Sequence, residues 1–118
     1  MMFDLKNKTI LVAGGAGYLG SQICEAILSH NGNVCIADIN LKKINFLKDS
    51  LTEKYPDNNI FSTMLDLKNE NSILECIKKT NDYFSNINGL INATYGATGK
   101  ALEELTAEEF NNANEINL

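Results

Sequence analysis

Three glycines and an aspartate carry the first chemical signal. Gly14, Gly17 and Gly20 stand at G-x-x-G-x-x-G spacing within Thr9-Ile10-Leu11-Val12-Ala13-Gly14-Gly15-Ala16-Gly17-Tyr18-Leu19-Gly20-Ser21. The residues before them are apolar and rich in β-branched types, and those after them take up helical periodicity. Strand, tight loop and helix form the context in which such glycines cradle a phosphate. The first lets the chain turn off the strand, the second removes a Cβ where a pyrophosphate approaches the backbone, and the third lets the helix lie close on the sheet. The helix then offers free N–H groups and the positive end of its dipole to the phosphates. Asp38 closes a second apolar run, Asn33-Val34-Cys35-Ile36-Ala37, eighteen positions after Gly20. An acid at that place holds a ribose 2′-hydroxyl.

The same acid selects the cofactor. Asp38 accepts hydrogen bonds from both ribose hydroxyls, whereas a 2′-phosphate would meet a carboxylate at close range. The chain contains no Arg, and Ile39 and Asn40 follow Asp38, so the usual clamp for a 2′-phosphate is missing. Lys42 and Lys43 are expected on the outer face of a solvated helix. NAD is therefore the expected cofactor.

The elements that must position these residues alternate along the chain. Strands are predicted over residues 8–13, Asn33–Asp38, 60–65 and 87–93. Helices are predicted over 18–31 and Leu41–Lys54, then from an N-cap at Asn69, and last from the capping box Thr106-Ala107-Glu108-Glu109. The inward stripes are read as Leu19, Ile23, Ala26 and Ile27 in the first helix and Ile73, Ile77, Thr80 and Phe84 in the third. His30, before Asn31-Gly32, suits the cap of the first helix. The pattern predicts an α/β fold, a Rossmann-type doubly wound parallel sheet with strand order 3-2-1-4. The glycine loop, Asp38, Asp66 and the Asn92 segment then converge at the carboxyl ends of the strands.

Composition narrows the function classes. The chain has 118 residues, 44% hydrophobic and 21% charged, as one soluble globular domain requires. Its net charge of −5 argues against nucleic acid or an anionic membrane as partner. No apolar run approaches the ~18 residues needed to span a bilayer, and Asp4, Lys6 and Lys8 interrupt any signal-peptide pattern, so a cytoplasmic location is expected. Cys24, Cys35 and Cys76 have no metal or redox spacing and read as reduced, buried small hydrophobes.

These residues resemble the short-chain dehydrogenases/reductases over essentially the whole chain. Gly14, Gly17, Tyr18, Leu19 and Gly20 match the cofactor loop, with Tyr18 where the single-domain branch has its middle glycine. Leu65-Asp66-Leu67 matches the strand end whose Asp contacts the adenine amino group. Gly89-Leu90-Ile91-Asn92-Ala93-Thr94 resembles the segment that supports the adenosine ribose, with Ile91 and Thr94 as departures. The stretch from Leu105 through Phe110 to Asn117 resembles the helix ending in the family's catalytic Asn, which makes Asn117 the matched position.

The resemblance implies an oxidoreductase acting on a hydroxyl/carbonyl pair, with NAD(H) and a small-molecule substrate as partners and a homo-oligomer as a possible state. It also implies a Tyr four residues before a Lys as proton donor and helper, a spacing absent from this chain; Tyr95 and Lys100 are five apart. Residues 1–118 are accordingly expected to be an NAD-binding N-terminal half, able to hold the adenosine part of NAD without transferring hydride. The glycine spacing alone is closer to the extended branch of sugar-nucleotide epimerases and dehydratases, and a non-catalytic nucleotide-binding module is a further alternative. Asn92-Ala93-Thr94-Tyr95 resembles oxidoreductases linked to surface-glycan and flagellin-sugar synthesis.

Overall fold

The computed structural model describes residues 2–95 and 100–117. Its strands are β1 Thr9–Ala13, β2 Asn33–Asp38, β3 Ile60–Met64 and β4 Gly89–Asn92. Between and after them run α1 Tyr18–Ser29, α2 Leu41–Lys54, α3 Glu70–Phe84, a short 3-10 turn Leu102–Glu104 and α4 Ala107–Asn117. The strands are all parallel, in the expected order β3-β2-β1-β4.

Alternate residues of the central strands feed two cores. Val12, Val34, Ile36 and Ile60 meet Cys24, Ile27 and Leu28 of α1 and Ile44 and Leu51 of α2. Leu11, Ala13, Cys35 and Ala37 meet Leu65 and the α3 residue Cys76 on the opposite face. A strand covered on both faces has no polar side to show, and Val34 through Ala37 are all fully buried. Burying side chains of the size of Val34 and Ile36 stabilises the fold by about 1.5–3 kcal/mol each.

The helices turn slightly differently from their expected stripes. α1 buries Gly20, Cys24, Ile27 and Leu28, leaving Leu19 and Ala26 exposed, and α3 buries Cys76 and Thr80 rather than Ile77. In α1 the small Gly20 and Cys24 share the buried face with Ile27 and Leu28, and in α3 Cys76 and Thr80 are flanked by the partly buried Ile73 and Phe84. All three cysteines are free and buried, as expected.

Local capping follows the side-chain chemistry. Asn40 accepts from the Lys43 N–H, and Asn69 from the Ser72 N–H. Such caps contribute about 1 kcal/mol each. His30 is the C-cap residue of α1, its Nδ1 lying 2.8 Å from the Ala26 carbonyl oxygen. β4 is shorter than the expected 87–93, although the Asn88 N–H donates to Thr9 and the Ala93 N–H to Ala13 just beyond its ends.

Thr106 Oγ1 accepts the Glu109 N–H at 3.1 Å, as the capping box predicts. The Glu109 carboxylate instead takes a bond from Lys100 at 2.9 Å, which holds its carboxyl below the usual range. Among the described residues, neither core cluster includes one from α4.

Candidate functional site

The chain leaves β1 through Gly14, whose φ of 75° lies in the left-handed region where a side chain is strained. Its N–H and that of Gly15 both donate to the Ala37 carbonyl, at 2.8 and 3.1 Å, so the end of β2 carries the loop. The Gly17 N–H returns to the Gly14 carbonyl at 3.1 Å and closes the turn. A Cβ on Gly20 would stand 2.0 Å from that same oxygen. The third glycine thus brings α1 against the loop itself, a closer partner than the sheet its spacing suggests.

Gly17 is different. It is the N-cap of α1, in extended backbone with no side-chain cap, and a Cβ there would meet only the Gly14 oxygen at 3.3 Å. One tight contact with a backbone oxygen is all a methyl would meet there, and the glycine leaves the rest of the space beside the helix start open. The first-turn N–H groups of Tyr18, Leu19 and Gly20 have no intrahelical acceptor.

A cleft of about 430 Å³ opens over the loop. Its walls come from every strand end: Gly14 and Gly17 after β1, Asp38 and Ile39 at β2, Leu65 to Lys68 after β3, and Ala93 to Tyr95 after β4, with Ile116 from α4. Of the sequence-predicted residues, Gly14, Gly17, Asp38, Asp66, Leu67 and Ala93 meet here. Tyr95, at the end of the Asn92 segment, lines the cleft too. Ile39, Lys68 and Ile116 were not among the predicted residues, and each adjoins one in sequence, which is the one signal that pointed to them.

The two predicted carboxylates have defined partners. Asp38 Oδ2 accepts the Ala16 N–H at 3.1 Å, and Oδ1 the Asn40 N–H at 3.0 Å. An ionised carboxylate has about four acceptor positions, so Asp38 keeps capacity for ribose hydroxyls. Asp66 Oδ1 accepts the Lys68 N–H at 3.0 Å, shaping the turn after β3.

Asn92 departs from expectation: its side chain is exposed and does not line the cleft, and its Oδ1 accepts the Thr94 N–H at 3.1 Å. It shapes the turn that carries Ala93 and Thr94 to the wall. Leu19 and Gly20 do not line the cleft either. Asn117 is the last residue of α4, next to the cleft-lining Ile116, and its side chain lies outside the described residues.

Tyr18 lines a second cavity of about 640 Å³ with Ala16, Gly17, Ser21, Lys42, Lys43, Phe46 and Leu47. The two lysines are exposed, as expected, yet they flank the glycine loop and do not stand apart from it. The first turn of α2 follows Asp38 so closely that it must pass beside the loop.

Comparisons with known proteins agree with this architecture. The profile of the family described as short chain dehydrogenase matches residues 8–118. Post-translational flagellin modification protein A of Campylobacter coli is 33% identical over 91 residues, covering 77% of this chain and 35% of that protein. The crystal structure of levodione reductase superposes with a TM-score of 0.89 at 23% identity, over 97% of this chain and 45% of that one. That of the NADPH-dependent 3-quinuclidinone reductase from Rhodotorula rubra gives 0.83 at 22%, over 99% and 44%. The chain spans less than half the length of these proteins.

Proposed function

This chain belongs to the short chain dehydrogenase family, and we propose on that premise that residues 1–118 form the cofactor-binding part of an oxidoreductase acting on a hydroxyl/carbonyl pair. The observation that carries the reading is the meeting of the glycine loop, Asp38 and Asp66 on one cleft. The residues fit a dinucleotide. Gly17 leaves room beside the N–H groups of the α1 start for a pyrophosphate, Asp38 faces a ribose, and Asp66 with Leu67 offers a polar and an apolar surface to adenine. The bound nicotinamide supplies the two-electron exchange; the chain's own residues bind, orient and shield.

NAD is the proposed cofactor, because the Asp38 carboxylate stands where a 2′-phosphate would need a cation. A second reading, tolerance of NADP, rests on Lys42 and Lys43 lining the cavity beside Ala16 and Gly17. Gly14, Gly17, Tyr18, Leu19, Gly20, Asp38, Asp66, Leu67 and Ala93 are the proposed cofactor residues, with Asn92 acting through the turn it holds and Asn117 as the catalytic position.

In the 118 residues no Tyr precedes a Lys by four, so binding of the adenosine half is the activity proposed for this chain itself. The epimerase reading rests on glycine spacing alone and is not favoured. The resemblance of Asn92-Ala93-Thr94-Tyr95 to oxidoreductases of surface-glycan and flagellin-sugar synthesis, beside a relative described as a flagellin modification protein, makes a sugar with a hydroxyl or ketone the first substrate to try. The proposed setting is the cytoplasm, without nucleic acid or membrane as partner. No helix among the described residues is long and apolar enough to cross a membrane.

Calorimetric titration with NADH and NADPH tests the reading. Saturable heat that is stronger with NADH supports it. A folded, monodisperse sample that takes up neither would overturn it.

A further inference from the structure

α4 reaches the mouth of the cleft without contributing to either core cluster, and Phe110 on it is 51% exposed. One ion pair joins it to the opposite wall. Lys68, which lines the cleft after β3, has its Nζ 3.8 Å from Oε2 of Glu115 on α4. The residue after Glu115 is Ile116, itself part of the cleft wall. The other ion pair of α4 among the described residues, Lys100 with Glu109, ties the first turn of the helix to the segment leading into it.

We propose that Lys68 and Glu115 are positioning residues that strut the end of α4 across the cleft, holding Ile116 over the bound cofactor. The proposal rests on the cofactor reading above. Both side chains are partly exposed, 36% and 65%, and such pairs add little where many other contacts fix the geometry. Here few do. Over a short span a small restraint then decides how often the roof is in place.

Charge alone makes the opposite forecast. A dinucleotide is anionic, so removing the Glu115 carboxylate relieves repulsion and frees the Lys68 ammonium for the ligand. Simple electrostatics therefore expects tighter NADH binding by Glu115→Gln. A strut expects weaker binding. The sign separates the two.

The experiment titrates the full 118-residue chain with NADH and follows amide hydrogen exchange of α4 in the complex. Glu115→Gln is expected to weaken NADH about two- to fivefold, the scale of an exposed pair, and to speed exchange across residues 107–117. Lys68→Arg, which keeps the cation and its reach, should match wild type in both. Glu115→Gln lies outside both core clusters, so its melting curve should superpose on that of wild type. Unchanged or tighter binding, or weaker binding with unchanged exchange in α4, overturns the strut and leaves the cofactor reading standing. Absence of NADH binding by folded wild type overturns both.

Discussion

Asp38 Oδ2 accepts the N–H of Ala16 at 3.1 Å, so this cleft-lining carboxylate also braces the glycine loop from the next strand. Its other oxygen holds the Asn40 N–H at the approach to α2. One side chain thus ties three segments together. Any substitution there acts on the loop and, on the proposed reading, on the cofactor at once.

Asp38→Ala is expected to lower stability by about 1–2 kcal/mol through two lost charge-assisted bonds, and to narrow the preference for NADH over NADPH. Urea denaturation reads the first effect and paired calorimetric titrations the second. A variant that keeps full stability would show that Asp38 braces nothing. An unchanged preference would remove it from cofactor choice.

The glycines divide by what they touch. Gly20→Ala places a Cβ 2.0 Å from the Gly14 oxygen, which the backbone must move to relieve; a loss of about 2–4 kcal/mol is expected. Gly17→Ala meets one atom at 3.3 Å and is expected to cost under about 1 kcal/mol while weakening NADH at least severalfold. Thermal melts and titrations of the two variants check the contrast.

Cys24 supplies a pH dependence. Burial pushes its thiol from an ordinary 9.0 up to about 12. A thiol raised on folding stabilises the protein fully below its unfolded value, and that stability is lost as pH rises from about 9.0 towards 12. Denaturation midpoints should fall over this window. Cys24→Ala should fall less steeply, because the remaining decline comes from other groups such as Cys35, also raised, first by the neighbouring Cys76 thiol and then by burial. Equal slopes in the two proteins would sink the assignment.

Lys42 and Lys43 give the test of NADP tolerance. If their position beside the glycine loop matters, Lys42→Gln with Lys43→Gln should weaken NADPH by about three- to tenfold, the scale of exposed charge pairs, with a smaller effect on NADH. Equal losses for both cofactors would count against that second reading.

Much of this was legible because it is written locally. The run from Thr9 to Ala13 and the one ending in Asp38 each encode a buried parallel strand by continuous apolarity, and together with the glycine loop they fix the strand order. Asn69 announces its helix by side-chain chemistry that operates within four residues. The membership of the cleft wall was less legible. Tyr95, Lys68 and Ile116 come from separate segments, and only the folded sheet brings them together. Asn92 shapes the turn while the three residues after it, Ala93 to Tyr95, form the wall, a division of labour that strand periodicity does not show. The stripes hold at Ile23, Ile27, Ile73, Thr80 and Phe84, while Leu19, Ala26 and Ile77 give way to Gly20, Cys24 and Cys76, small residues that let the helices approach the sheet. Hydropathy does not record that.

The Ala37 carbonyl, which takes the N–H groups of both Gly14 and Gly15, bears on how such a site ages over generations of mutation. A main-chain oxygen is present whatever residue occupies position 37, so this part of the loop's anchorage is indifferent to side-chain identity provided the replacement fits the space. A small residue at position 37 can therefore be exchanged for another without relocating the loop. Side-chain size bears much harder on Gly14 and Gly20, where an added Cβ would stand 2.8 and 2.0 Å from backbone atoms.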